Sequence, residues 1–149
     1  MPHRILRLLP LSVLALVTAT APAHANTTTD FERQTVATTN DVRADHGLRS
    51  LRRARCLARS ADVHARRMAR RQRLFHQRLR PVQRQCDLRR AAENVAVGYR
   101  TGSATVQDGW MGSPEHRANI LTRGHRLTAV GAVRDSSGRW WTVQLLGSR

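Results

Sequence analysis

The chain has 149 residues and a formal net charge of +16, from 26 basic residues against 10 acidic ones. Every one of those basic residues is arginine, a side chain that stays charged and pairs bidentately with phosphate and carboxylate, so attraction to anionic polymers and surfaces follows from composition alone. The length suits one domain with one core, and no apolar run after the opening segment nears the span of about 20 residues that a membrane helix needs, which argues against a transmembrane protein.

The opening segment, MPHRILRLLPLSVLALVTATAPAHA, carries Arg4 and Arg7, an apolar run from Leu8 to about Val17, and small residues at Ala23 and Ala25. That is the pattern of a secretory signal with an A-x-A-like cleavage site. Residues 1–25 are therefore expected to be removed, and the mature domain to occupy residues 26–149 with a net charge of +14. The expected location is extracellular.

Residues 30–45 form the first helix candidate, with Phe31, Val36, Thr39 and Val42 at helical spacing and Gly47 as a stop. A stronger pattern covers residues 54–71. Ala54, Leu57, Ala58, Ala61, Ala65, Met68 and Ala69 fall on one face and Arg55, Arg59, Asp62, Arg66 and Arg70 on the other, which predicts an amphipathic helix with a small, closely packing face. His64 lies beside that face and reads as a packed, hydrogen-bonded histidine. Residues 72–90 break the pattern with Pro81 and a dense run of arginines, and predict a long loop.

Residues 91–97 are short and apolar around Glu93-Asn94, and Ser103 reads as the cap of a helix through Val106 and Trp110. Ser113-Pro114 then marks a helix start, with serine at the N-cap and proline at the first helical position. His116 falls in the first turn of that helix, where the positive end of the helix dipole disfavours an imidazolium. The ring there is set to be a base or a ligand. The chain closes on a predicted β-hairpin with arms at residues 129–135 and 140–147. Helices first and paired strands last predict an α+β fold, helices covering a sheet. Two cysteines, Cys56 and Cys86, in a chain bound for an oxidising exterior predict one disulfide.

The series N-x-x-R-x-x-x-G-L-x-x-L (Asn40 to Leu51), HARRMA (from His64), LFH (ending at His76), ENVAVG (from Glu93), WMGSPEHRANIL (from Trp110) and the terminal W-T-V-Q-L-L-G resembles the CAP superfamily, the cysteine-rich secretory, antigen 5 and pathogenesis-related 1 proteins, in its short bacterial secreted branch. The resemblance covers nearly all of the mature chain. It implies an α-β-α sandwich, with the C-terminal hairpin in the sheet, and a cleft where two histidines and acidic residues converge. Carried over by motif, His76 and His116 are the cleft histidines and Glu93 the first cleft acid. The family pattern places a second acid near Ser113, which is not acidic, and Glu115 is the nearest carboxylate. Adjacent helical residues point about 100° apart, so Glu115 and His116 do not both face one cleft by default.

Two neutral imidazoles with a carboxylate are donors for zinc or another divalent metal, with positions left for water, and His76 and His116 are the metal-binding candidates. Three functions follow: a secreted binding protein whose cleft takes a divalent metal or a small apolar ligand, a metal-assisted extracellular hydrolase, or a basic binder of anionic cell-envelope polymers. The first is the expected one. The hydrolase lacks a recognisable nucleophile motif. Sequence-specific nucleic-acid recognition is not expected, since aromatic residues are only 4% of the chain and no groove-reading motif occurs.

Overall fold

The structure, a computed structural model, describes residues 27–149. The expected secretory signal lies outside the described residues.

Helix α1 (Thr28–Asp45) starts where the Thr27 hydroxyl accepts the Asp30 amide. A two-residue strand β1 (Arg52–Arg53) leads into α2 (Arg55–Arg71), whose small face is buried as its spacing predicts: Leu57, Ala61, Ala65 and Met68 are all shielded from solvent. The expected long loop holds a helix instead, α3 (Leu79–Cys86). Pro81 sits at its third position, where the backbone amide has no partner within the helix, so proline is compatible with the first turn. Val82 and Cys86, four residues apart, are its buried stripe.

Strand β2 (Arg90–Val97) follows. The next helix starts earlier than expected, because Thr101 rather than Ser103 is its cap and accepts the Ala104 amide. One turn of α4 (Gly102–Ala104) continues as a π-helical turn, Thr105–Trp110. Helix α5 (Pro114–Leu121) begins at Ser113-Pro114 as expected, although the Ser113 side chain makes no capping hydrogen bond. Strands β3 (Leu127–Arg134) and β4 (Trp140–Ser148) are the predicted hairpin, slightly longer than read from the sequence. Its turn is fastened by the Asp135 carboxylate, which accepts from the Ser137 and Arg139 amides and the Trp141 indole.

The strand order is β1-β3-β4-β2, with β1 parallel to β3 and the other pairs antiparallel. Alternation along the strands sends residues to two helical layers. Val95, Ala129, Val143 and Leu145 pack against α2 and α3. On the opposite face Ala96 joins Val106, Trp110 and Ile120, while Ala132 and Trp140 meet Phe31 of α1. This is the α-β-α sandwich, and β2 is one edge of its sheet.

Helix α2 lies so close to β3 that a Cβ on Gly131 would stand 2.3 Å from the Asp62 nitrogen and 2.5 Å from the Ala61 carbonyl carbon. Both are backbone atoms, so relief requires a shift of the whole helix. Gly131→Ala is expected to cost about 1–3 kcal/mol through overpacking. Urea denaturation checks this, and an unchanged midpoint would contradict the close approach.

Candidate functional site

The site forms at the β2 edge, where the two helical layers meet. Glu93 and Asn94 are successive residues of β2, so they point to opposite faces. The Glu93 carboxylate is 5% exposed as a residue and accepts three hydrogen bonds, from His76 Nδ1 at 2.9 Å, the Gln77 backbone amide at 3.0 Å and Gln77 Nε2 at 2.6 Å. A carboxylate on Nδ1 fixes the proton there and leaves the Nε2 lone pair of His76 available.

His76 lies between α2 and α3, with a side chain 59% exposed. Its neighbour Phe75 is tied down from below: buried His64 on α2 has Nε2 at 2.8 Å from the Phe75 carbonyl oxygen, and its ring meets the Phe75 ring edge-on at 5.0 Å. His64 is thus the packed, hydrogen-bonded histidine expected from its place on the helix.

His116 comes from the other layer, in the first turn of α5, and its ring centre is 6.5 Å from that of His76 at 47° between planes. Burial holds its pKa below the ordinary imidazole value, the nearby His76 adds to this, and the Glu115 charge opposes it. The neutral ring favoured by its helical position is therefore also favoured by its surroundings. Asn94 Nδ2 donates to the His116 carbonyl at 3.3 Å and to Gln144 Oε1 at 3.0 Å. Asn119 Nδ2 reaches Asn94 Oδ1 and the Glu93 carbonyl, and Gln144 Nε2 reaches Thr39. This buried polar chain joins β2, β4, α1 and α5, so the His116 backbone and the Glu93 strand are fixed to one another.

The structure thus brings His76, Glu93 and His116 together. Glu115 stands apart, exposed and without a hydrogen bond or ion pair among the described residues, acting on the site only through its charge. Ser113 supplies no acid. Among the described residues no group of three or more His, Cys, Asp or Glu side chains is arranged to hold a metal ion. The donor set that remains is two imidazoles, with Glu93 occupied behind His76 as an orienting group. Such a pair fits a divalent transition metal that keeps water on its other positions, and does not fit a closed structural centre.

Gln77, Asn119 and Gln144 have no separate place in the sequence reading. Gln77 directly follows His76, and that adjacency is the only trace of its role. Both cysteines are joined, Cys56 to Cys86 with Cα atoms 5.7 Å apart, so neither is a free thiol. Among the described residues no helix is long and apolar enough to cross a membrane.

The model of the cysteine-rich secretory protein family, CAP, matches residues 36–145. No curated protein matches the chain. Among solved structures, an extracellular protein containing an SCP domain from Bacillus anthracis is similar, with 23% identity, a TM-score of 0.72, and coverage of 87% of this chain and 45% of the other. A cysteine-rich secretory protein from Staphylococcus aureus has 20% identity and a TM-score of 0.70 over 86% of this chain and 40% of that one. An outer surface protein from Borrelia burgdorferi has 18% identity and a TM-score of 0.67 over 76% and 89%. At these identities the likeness is one of fold, and the chain spans less than half of the Bacillus and Staphylococcus proteins.

Proposed function

The chain belongs to the cysteine-rich secretory protein (CAP) family, and from that premise we propose that it works outside the cell as a binding protein whose cleft takes a divalent metal such as zinc on His76 and His116. The observation that carries this reading is the Glu93 carboxylate on His76 Nδ1 at 2.9 Å, which leaves Nε2 free beside a second imidazole whose pKa burial holds below the ordinary value. The polar groups around the pair favour a metal over a small apolar ligand. An extracellular setting is supported by the leader-like opening segment and by the disulfide.

Zinc bound there would supply a Lewis acid and an acidified water. The chain's own contributions are two lone pairs, a carboxylate that fixes one tautomer, and a buried amide network that holds the second ring. With two protein ligands, affinity falls well short of the roughly 10–16 kcal/mol of closed structural zinc sites. Binding weakens as pH falls through the imidazole range, because only a neutral ring donates its lone pair. Nuclear magnetic resonance of the imidazole nitrogens during a zinc titration tests the assignment. Joint shifts of the His76 Nε2 and His116 signals, with His46, His64 and His125 unmoved, are expected. Shifts confined to His46, or none at all, would overturn it.

A further inference from the structure

A groove of about 560 Å³ runs between α2 and α3 beside His76, and its lining holds Arg59, Arg67 and Arg78 with no carboxylate. Arg59, Val63 and Arg67 follow each other at four-residue steps and so share one stripe of α2, the two arginines standing two turns apart, about 12 Å along the axis at 1.5 Å per residue. Among the described residues none of the three guanidinium groups makes an ion pair or a hydrogen bond. Between the two arginines on α2 lies Val63, a large apolar side chain left 47% exposed. From the α3 side come Arg78 and the exposed ring of Pro81.

We infer that this groove binds an acidic glycan strand, its carboxylate or phosphate groups on Arg59 and Arg67 and the apolar face of the intervening sugar on Val63 and Pro81. Unpaired guanidiniums bind such anions bidentately. The two arginines stand two turns apart on α2, and a chain that carries its charge on alternate sugars repeats over about that distance, so each guanidinium meets its own anion. Single-stranded nucleic acid suits the groove less well. It binds through runs of aromatic platforms, and of the two rings in the lining Phe75 already has the Arg71 and Arg73 guanidiniums over it at 5.5 and 5.4 Å, while His76 is held by Glu93. The inference does not rest on metal binding by the histidines.

A hyaluronan decasaccharide, with one carboxylate per disaccharide, is the probe, titrated into the mature protein at low salt with EDTA present so that the metal reading is not involved. The wild type is expected to bind, and more weakly at high salt. Arg59→Gln with Arg67→Gln should weaken binding by about tenfold or more, because both charge-assisted contacts are lost. Arg49→Gln with Arg123→Gln removes the same charge from exposed positions outside the lining and should cost about threefold or less, the effect of the general field. Circular dichroism confirms that both variants fold. No binding by the wild type, equal losses in the two variants, or an oligothymidylate of equal charge binding as tightly would each overturn the inference.

Discussion

Arg43→Met is expected to remove about 2–5 kcal/mol of stability, a large part of the margin of an ordinary domain. The Arg43 side chain is fully buried, and its partners are all backbone carbonyls: Nε donates to Arg49 at 3.0 Å, Nη1 to Ile120 at 2.6 Å and Thr122 at 3.1 Å, and Nη2 to His125 at 3.5 Å. Ile120 and Thr122 lie at the C-terminal end of α5, where unpaired carbonyls and the negative end of the helix dipole receive a cation well. Methionine fills similar space but leaves the Arg49 and Ile120 carbonyls without their donor, at about 1–3 kcal/mol for each that water does not reach, whereas the Thr122 carbonyl keeps the His125 amide and the His125 carbonyl keeps Arg126 Nη1. Because Arg43 belongs to α1 and its acceptors Ile120, Thr122 and His125 lie at or just beyond the end of α5, the variant should also loosen the helix that carries His116. A fall in Tm of about 10 °C or more is the expected result. A fall of only about 2 °C would show that the carbonyls find other donors.

The second large loss is expected from the disulfide. Cys56 lies at the start of α2 and Cys86 at the end of α3, 30 residues apart, and the segment between them carries His64, Phe75, His76 and Gln77. Removing the bridge with Cys56→Ala and Cys86→Ala should cost about 3–4 kcal/mol in the chain-entropy account. Since His76 stands within the closed loop, its contact with Glu93 should loosen before the sheet does. Denaturant midpoints of the variant and of the reduced wild type check the first expectation, and hydrogen exchange at the Gln77 amide checks the second. A midpoint unaffected by reduction would contradict both.

Much of the fold was legible in the sequence for identifiable reasons. The α2 face is written in alanines and leucine at three- and four-residue steps, and β3 and β4 in apolar runs parted by a turn with Gly138. The α3 helix was hidden because Pro81 and a crowd of arginines resemble a loop, and a proline in a first turn is told apart from a breaker only when the helix start is known. Strand β1 has two residues, both exposed arginines, and carries no pattern at all. At the site, His76, Glu93 and His116 were legible through their motifs. What motifs do not carry is direction. That Glu93 faces Nδ1 of His76, that Gln77 saturates the carboxylate, and that Glu115 turns outward all follow from side-chain orientation at a sheet edge. The amide chain through Asn94, Asn119, Gln144 and Thr39 joins residues scattered over four elements, and no local spacing marks them as partners.

His76 and His116 together are expected to hold a divalent metal. Calorimetric titration of zinc into the untagged mature protein tests it most directly, with His76→Ala, His116→Ala, Glu115→Ala and His64→Ala alongside and circular dichroism to confirm folding. Loss of an orienting partner typically costs 10–100-fold in metal affinity, so loss of a ligand should cost about 100-fold or more. Each of the first two variants should show that loss while remaining folded. Glu115→Ala should bind nearly as the wild type does, because its carboxylate reaches the site only through its charge. His64→Ala should weaken binding less than loss of either ligand, through the released Phe75 carbonyl. Zinc bound by His76→Ala and His116→Ala as tightly as by the wild type would contradict the claim, and would leave the pair as a hydrogen-bonded feature of the β2 edge.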